Sequence, residues 1–336
     1  MRPSFLPRLI NDPFKDPGLY IPLLLKGRAI LFDLGDNSNL SPRDLLKISH
    51  VFVTHTHMDH FIGFDRMLRL MLGRQKDLHL FGPEGFMDNV EGKLGGYAWN
   101  LVGNDAYPLV LKVTEVSAGR MKNRRYQCRD RFRPAGDPAE SSFDRTLLAE
   151  PSLTVSAALL DHRIPCLGLA LKERFHIHIL KDRLAAMGAA PGPWLGQFKA
   201  AVYGGHAPGT LFHVPCAGGR GEARFTLDAL QKQMARITPG QKIAYITDAA
   251  YTPENKQRIV SLAQDADHLF IEAAFLEEDR AAAEEKAHLT ARQAGEIARL
   301  SRVRRMTIFH FSPRYRGRED QLYREAEEAF AGGPAS

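Results

Sequence analysis

Cysteine is scarce: the 336 residues hold only Cys128, Cys166 and Cys216, odd in number and far apart. That excludes the disulfide framework of a small secreted domain and a structural zinc site built on thiolates. Long apolar runs are missing too. The opening segment, "MRPSFLPRLINDPFKDPGLYIPLLL", is broken by prolines and charges, and "YIPLLL" is too short to cross a bilayer. No signal peptide and no membrane association are expected, and a reducing cytoplasm is the expected setting. Internal repeats of fixed period and long low-complexity tracts are absent as well. Charge is only slightly one-sided, 45 Lys and Arg against 39 Asp and Glu, with a pI near 9.2. A bias of that size is compatible with a polyanionic partner without requiring one.

What is present, at 44% hydrophobic and 25% charged, is the balance of an ordinary globular protein. Short apolar runs alternate with turn signals. "AILFDLG" (29–35) and "HVFVTH" (50–55) read as buried strands. "FIGFDRMLRLML" (61–72) reads as one helix, with Phe61, Phe64, Met67, Leu68 and Met71 on one face. Strand-like segments fill the region from Val110 to Glu173, among them "RYQCRDRF", "LTVSAALLDH" and "CLGLALKE". Strands and helices then alternate through "KIAYITDA", "PENKQRIVSLAQ", "HLFIEAAF", "TARQAGEIARLS" and "RMTIFHF".

Two segments stand apart. Arg120 to Arg133 carries seven basic residues and one acid, either a solvated hairpin or a phosphate-contacting patch. Phe175 to Gly221 is rich in glycine, proline and histidine, and reads as a long functional or mobile loop.

The chemistry concentrates in "HTHMDH", three histidines and an aspartate within residues 55–60. His55 and His57, two apart on an extended chain, project to the same side. Asp59 and His60 follow where the chain bends into a helix. Leaving four such groups buried and unpaired would cost several kcal/mol, on the order of 2 or more for each. Imidazoles with a carboxylate are typical ligands of Zn²⁺, with Mn²⁺ or Fe²⁺ as alternatives. Partners for these four are expected at other strand ends. His162 in "LLDHRIP", Asp248 in "IAYITDA" and His310 in "MTIFHFSPRY" each sit there.

These residues resemble a known family. "HTHMDH" matches the His-x-His-x-Asp-His signature of metallo-β-lactamase-fold hydrolases. "LDHRIPCLG", "MGAAPGPWLGQFK", "IEAAFLEEDRAAAEEKAHLTARQAGEIA" and "FHFSPRY" narrow the likeness to ribonuclease Z, the tRNA 3′-end processing endonuclease. The likeness runs from about Ile30 to Tyr315, thinly between Gly92 and Ser152. It implies a single α/β domain over residues 1–336, a four-layer αββα sandwich with an inserted substrate-binding arm or lid at about 174–221. It implies two divalent ions: His55, His57 and His162 on one, Asp59, His60 and His310 on the other, and Asp248 bridging. Glu272 and His288 would form the acid–base pair beside the leaving group, with Asp59 counted in the catalytic set as well. Arg314 and Tyr315 would hold substrate phosphate or fix the strand end, and Pro191, Gly192 and Pro193 would belong to the arm that grips tRNA. The expected reaction is endonucleolytic removal of the tRNA 3′ trailer by a metal-activated hydroxide. Precursor tRNA is the expected partner and a homodimer the expected assembly. The alternative is a hydrolase of small phosphodiesters or esters on the same centre.

The chain also departs from the family pattern. The glycine-rich start and early Arg-Asn element are replaced by "MRPSFLPRLINDPFKDPGLY". Gly-Asp-Thr becomes Thr247-Asp248-Ala249, His-Glu-Ala-Thr becomes Ile271-Glu272-Ala273-Ala274, and His-Ser-Thr becomes His288-Leu289-Thr290.

Overall fold

The computed structural model describes residues 4–24, 26–102, 108–219 and 221–332. The chain divides into two compact units, Met1–Leu147 with Val155–Leu171 and Lys242–Ser336, and Leu148–Thr154 with Lys172–Gln241.

The larger unit is built on two sheets. The first has eight strands in chain order: β1 (Arg8–Leu9), β2 (Leu19–Leu23), β3 (Arg28–Phe32), β4 (Ile48–Phe52), β5 (Asp77–Pro83), β6 (Val110–Ser117), β7 (Arg120–Gln127) and β8 (Ala139–Ser142). β3 to β6 run parallel, so their carboxyl ends share one edge. Alternation along these strands sends Val51, Val53, Leu78, Leu80, Leu111 and Val113 to one face. There they pack with helices α1 (Pro42–Lys47), α2 (Met58–Phe61), α3 (Phe64–Met71) and α4 (Phe86–Gly95). The opposite face carries Phe52 stacked on Phe81 at 4.6 Å and Phe32 edge-on to Phe52 at 5.7 Å.

The second sheet takes β9 (Thr146–Glu150), β10 (Leu153–Asp161), β11 (Pro165–Glu173), β16 (Lys242–Ile246), β17 (His268–Glu272) and β18 (Met306–Phe309), in the order β18-β17-β16-β11-β10-β9. β16, β17 and β18 are parallel. Leu269, Ile271 and Ile308 pack outward with α8 (Pro253–Ala263), α9 (Arg280–Lys286), α10 (Ala291–Leu300) and α11 (Glu319–Ala331). Tyr245 and Phe309 point the other way, and Tyr245 meets Phe32 of the first sheet at 5.9 Å. The result is four layers, helices–sheet–sheet–helices, with aromatic rings between the sheets. Helix starts follow their local chemistry: Thr252 and Pro253 open α8, and Thr290 with Gln293 forms a capping box on α10.

The smaller unit has its own core. β12 (Phe175–Ile179) pairs with β15 (Ala235–Pro239), and β13 (Leu211–Pro215) pairs with β14 (Glu222–Thr226). Helices α5 (Lys181–Ala186), α6 (Trp194–Gly204) and α7 (Leu227–Met234) enclose Ile177, Leu184, Trp194, Phe198, Val214 and Leu230. The segment that reads as a long loop is therefore largely folded. Its glycines and prolines punctuate short elements; Gly205, at φ +66°, closes α6.

Two other readings are adjusted. The single helix expected over 61–72 is broken at Ile62–Gly63, where the Gly63 N–H donates to the Leu34 carbonyl at 2.8 Å; the close approach requires glycine, since a Cβ there would stand 2.3 Å from the Gly35 carbonyl oxygen. The strand read as "RYQCRDRF" lies earlier, at Arg120–Gln127, and the chain turns at Cys128–Asp130. Among the described residues no helix is long and apolar enough to cross a membrane.

Candidate metal centre

All seven sequence-selected ligands lie in the larger unit, and they meet at the carboxyl ends of the parallel strands. Three ligand groups have donor atoms within 4.8 Å of one another: His55, His57, His162 and Asp248; Asp59, His60 and His310; and Asp248 and His310 with Glu272 and His288. His55 and His57 follow β4, Asp59 and His60 open α2, His162 follows β10, Asp248 follows β16 and His310 follows β18.

The backbone is bent to make this convergence. Asp248 has φ +47° and His310 φ +62°; Arg163, beside His162, has φ +61°. Non-glycine residues rarely enter this region, although Asp and His tolerate it better than most. Conformations of this kind gather where a side chain must be aimed. No periodicity in the sequence reports them.

Asp248 is the hub. Its Oδ2 lies 3.5 Å from His55 Nε2, 3.3 Å from His60 Nε2 and 3.6 Å from His162 Nε2. Its Oδ1 lies 2.9 Å from His310 Nδ1. Asp59 Oδ2 lies 3.1 Å from His310 Nε2. Yet His55 Nε2, His60 Nε2 and His310 Nδ1 are buried without a hydrogen bond of acceptable geometry. Buried polar nitrogens are costly when unpaired. Their convergence on carboxylate oxygens is what a bound cation would satisfy, and the donor set, imidazoles with carboxylates, suits a divalent metal.

The imidazoles are oriented from behind. His162 Nδ1 donates to the Ala287 carbonyl at 2.9 Å, and His60 Nδ1 donates to Asp33 Oδ2 at 3.0 Å. Each leaves Nε2 facing the cluster. Asp33 is fully buried; it also accepts the Thr54 backbone N–H at 2.7 Å and the Tyr245 hydroxyl at 3.0 Å. Asp248 Oδ1 accepts the hydroxyl of its own neighbour Thr247 at 2.7 Å. Asn255 holds the turn that carries His162, donating to the Asp161 carbonyl and accepting the Asp161 N–H.

Electrostatics show how much positive charge the site wants. Burial, reinforced by neighbouring His60, drives His55 down to about 2. Burial also opposes charge on His60, but Asp248 and Asp33 outweigh it and push its pKa up to about 10. Burial would raise Asp59, yet the hydrogen bond from His310 and the His60 charge hold it at about 2. Converging buried carboxylates are unfavourable without compensating cations.

Beside this cluster Glu272, fully buried, accepts His288 Nδ1–H at 2.7 Å through Oε2 and the Ala249 N–H at 2.8 Å through Oε1. Burial disfavours charge on His288, and the Glu272 carboxylate overcomes it, so the His288 pKa is raised. Arg314 lies 5.1 Å over the Phe275 ring and 3.5 Å from Asp279, and it is exposed. Tyr315 is different: it is 1% exposed, its hydroxyl donates to Asp279 and accepts the Leu276 N–H. That makes Tyr315 a brace for the loop, of the two roles open to it. Pro191, Gly192 and Pro193 lie between α5 and α6 in the smaller unit and are not among the clustered donors.

The basic strand β7 is mostly engaged locally, Arg120 with Glu140, Lys122 with Glu115 and Arg124 with Glu91. Cys166 sits 4.0 Å from His55 Nδ1, the ring nitrogen turned away from Asp248; burial raises its pKa well above the usual thiol value, and it is not among the clustered donors. The unusual N-terminal segment packs against the residue after His310: Phe311 N–H donates to the Pro13 carbonyl, and the Phe14 and Phe311 rings meet edge-on at 5.4 Å.

Sequence reasoning missed Asp33, Thr54, Tyr245 and Asn255. Asp33 ends the apolar run "AILFD", the same signal that singles out Asp248 and His310. Tyr245 and Asn255 carry no local signal, since their roles depend on strands and helices distant in the chain.

Residues 194–311 match the model of the beta-lactamase superfamily domain. The chain is 27% identical to the ribonuclease Z of Deinococcus radiodurans, covering 96% of this chain and 95% of the relative. It is 30% identical to that of Lactiplantibacillus plantarum (90% and 83%) and 31% identical to that of Thermobifida fusca (91% and 82%). Among solved structures, human tRNase Z, short form, superposes with a TM-score of 0.51 at 19% identity over 93% of each chain. A metallo-beta-lactamase fold protein from Bacillus subtilis gives 0.52 at 13%, over 95% and 87%. At those identities the structural likeness speaks to the fold.

Proposed function

Because the chain belongs to the ribonuclease Z family of metallo-β-lactamase-fold hydrolases, we propose that this hydrolytic nuclease removes the 3′ trailer from precursor tRNA at its His/Asp cluster. The observation that carries the reading is the Glu272–His288 pair, 2.7 Å long and touching the same group of donors as Asp248 and His310. Two Zn²⁺ ions are the proposed cations, a homodimer the proposed assembly and the cytoplasm the proposed setting.

His55, His57 and His162 would hold one ion, Asp59, His60 and His310 the other, with Asp248 between them. When bound, such ions bring the pKa of water from 15.7 to roughly 7 and neutralise charge growing on phosphoryl oxygens. The remaining work falls to side chains. Asp59 is ionised and can accept a hydrogen bond from the attacking water. Glu272 holds His288 through Nδ1, leaving Nε2 to face outward and favouring the charged ring. His288 would then give its Nε2 proton to the departing 3′-oxygen, a contribution of about 10²–10⁴ in rate for general acid catalysis. The products are an RNA with a 3′-hydroxyl and a fragment with a 5′-phosphate. Arg314, which lies over Phe275 and beside Asp279, is proposed to contact a phosphate, and the Pro191–Gly192–Pro193 turn to contact tRNA away from the cluster.

The test is cleavage of precursor tRNA by wild type and His288→Ala, with bound metal measured on both. The expected result is a loss of about 10²-fold or more in kcat with metal unchanged. Metal loss in the variant would remove His288 from the acid role. Hydrolysis of bis(p-nitrophenyl) phosphate without any cleavage of precursor tRNA would overturn the substrate.

A further inference from the structure

One uncharged side chain outside the cluster ties two of its ligand turns together. Asn255 is 1% exposed and sits in the first turn of α8, where Thr252 already caps the helix. Its amide is occupied entirely by backbone. Oδ1 accepts the Asp161 N–H at 3.0 Å, while Nδ2 donates to the Asp161 carbonyl at 2.8 Å and to the Ala250 carbonyl at 2.9 Å. Asp161 immediately precedes the ligand His162, and Ala250 lies two residues after the ligand Asp248. The same two turns meet directly where the Ala250 N–H donates to the Asp161 carbonyl at 2.9 Å. A carboxamide is the neutral side chain that offers an acceptor and two donors from one branch point.

What else holds each turn decides what this clamp governs. The Asp248 turn is also gripped from another side. Glu272 Oε1 accepts the Ala249 N–H at 2.8 Å, and Asp248 Oδ1 lies 2.9 Å from His310 Nδ1. The His162 ring is fixed at Nδ1 by the Ala287 carbonyl, but the backbone just before it takes its place from Asn255. That backbone sets how far His162 Nε2 stands from Asp248 Oδ2, 3.6 Å here. Asp59 and His60 open α2 and His310 follows β18, and the side-chain bonds of Asn255 go instead to Asp161 and Ala250.

We propose that Asn255 is a positioning residue for one ion of the pair. It sets the spacing of His162 from Asp248, and with it the affinity of the ion assigned to His55, His57 and His162. The ion assigned to Asp59, His60 and His310 does not depend on it. The proposal rests on the two-ion reading above.

The experiment measures Zn²⁺ affinity of the full chain by chelator competition, with thermal unfolding of the metal-free protein recorded beside it. Two backgrounds separate the ions. In His310→Ala the remaining ion is the one that His162 holds. Adding Asn255→Leu, which keeps the branching and volume of the amide without its polar atoms, should weaken that ion by about 10–100-fold. In His162→Ala the remaining ion is the other one, and the same addition should leave its affinity within about twofold. Asn255→Ala, which sets no methyl groups against the three backbone partners, should divide the two backgrounds in the same way. Arg258→Ala is the control for docking of α8 alone. Arg258, one turn further along, donates to the Leu159 carbonyl of β10 at 2.9 Å, and its removal should leave both backgrounds unchanged.

Equal losses in the two backgrounds, a loss in Arg258→Ala as large as in Asn255→Leu, or no loss in either background would each overturn the positioning role with the two-ion centre intact. Fewer than one equivalent of Zn²⁺ in wild type would overturn the underlying reading, and the proposal with it.

Discussion

Asp33→Asn changes one atom in a residue that touches no proposed cation, and its effect can be worked out from the donors around it. Asp33 Oδ1 accepts the Thr54 backbone N–H at 2.7 Å; Oδ2 accepts His60 Nδ1–H and the Tyr245 hydroxyl, both at 3.0 Å. An asparagine must present its NH₂ to one side. The backbone N–H cannot turn away, whereas a hydroxyl can rotate and an imidazole can change tautomer. The amide oxygen therefore stays on Thr54, and the NH₂ faces Tyr245 and His60. His60 then carries its proton on Nε2, the atom meant to face the cation. Loss of such an orienting partner typically costs 10–100-fold in metal affinity, about 1.4–2.7 kcal/mol. Chelator competition on the purified variant reads this directly, and thermal unfolding of the metal-free protein checks that the fold survives. Metal affinity within twofold of wild type would refute the tautomer argument.

Further outcomes follow from the same geometry. Gly63→Ala should destabilise by more than about 3 kcal/mol, since its Cβ would meet a backbone oxygen at 2.3 Å; a denaturant midpoint close to wild type would show that α2 does not sit as described. His268 is held at about 4, first by burial and then by Arg305, whose guanidinium donates to Nδ1. Its folded pKa is below the unfolded value, so its stabilising neutrality is intact above about pH 6.5 and is lost as pH falls toward 4, by at most about 3 kcal/mol. His268→Gln should flatten the decline of unfolding temperature over that window, and an unchanged decline would assign acid lability elsewhere.

Most parallel strands of the larger unit, with α3, α8 and α10, were legible because buried parallel strands write themselves as continuous apolar runs and their helices as amphipathic stripes; the edge strands β1, β8 and β9 carry no such run. The His and Asp side chains that cluster were legible because polar residues at the ends of such runs have no other inexpensive role. The folded character of residues 175–221 was not legible. Its elements are short, and Ile177, Trp194, Phe198 and Val214 share a core that closes only when β12 pairs with β15, far along the chain. The break at Gly63 was hidden for a related reason. Helical periodicity continues across it, and only the approach of the Gly35 carbonyl, 28 residues earlier, requires the glycine. Tyr245 lies inside an apolar run that gives no sign of its hydroxyl's role, which arises because Asp33, at the end of β3 in the other sheet, lies within 3.0 Å.

The account stands on a pair of cations held by seven side chains, and metal content measures that most directly. Wild-type protein loaded with Zn²⁺ and dialysed should retain two equivalents per chain, with His162→Ala and His310→Ala each retaining about one and Asp248→Ala retaining fewer than one. Fewer than one equivalent in wild type, or an unchanged two in all three variants, would contradict it.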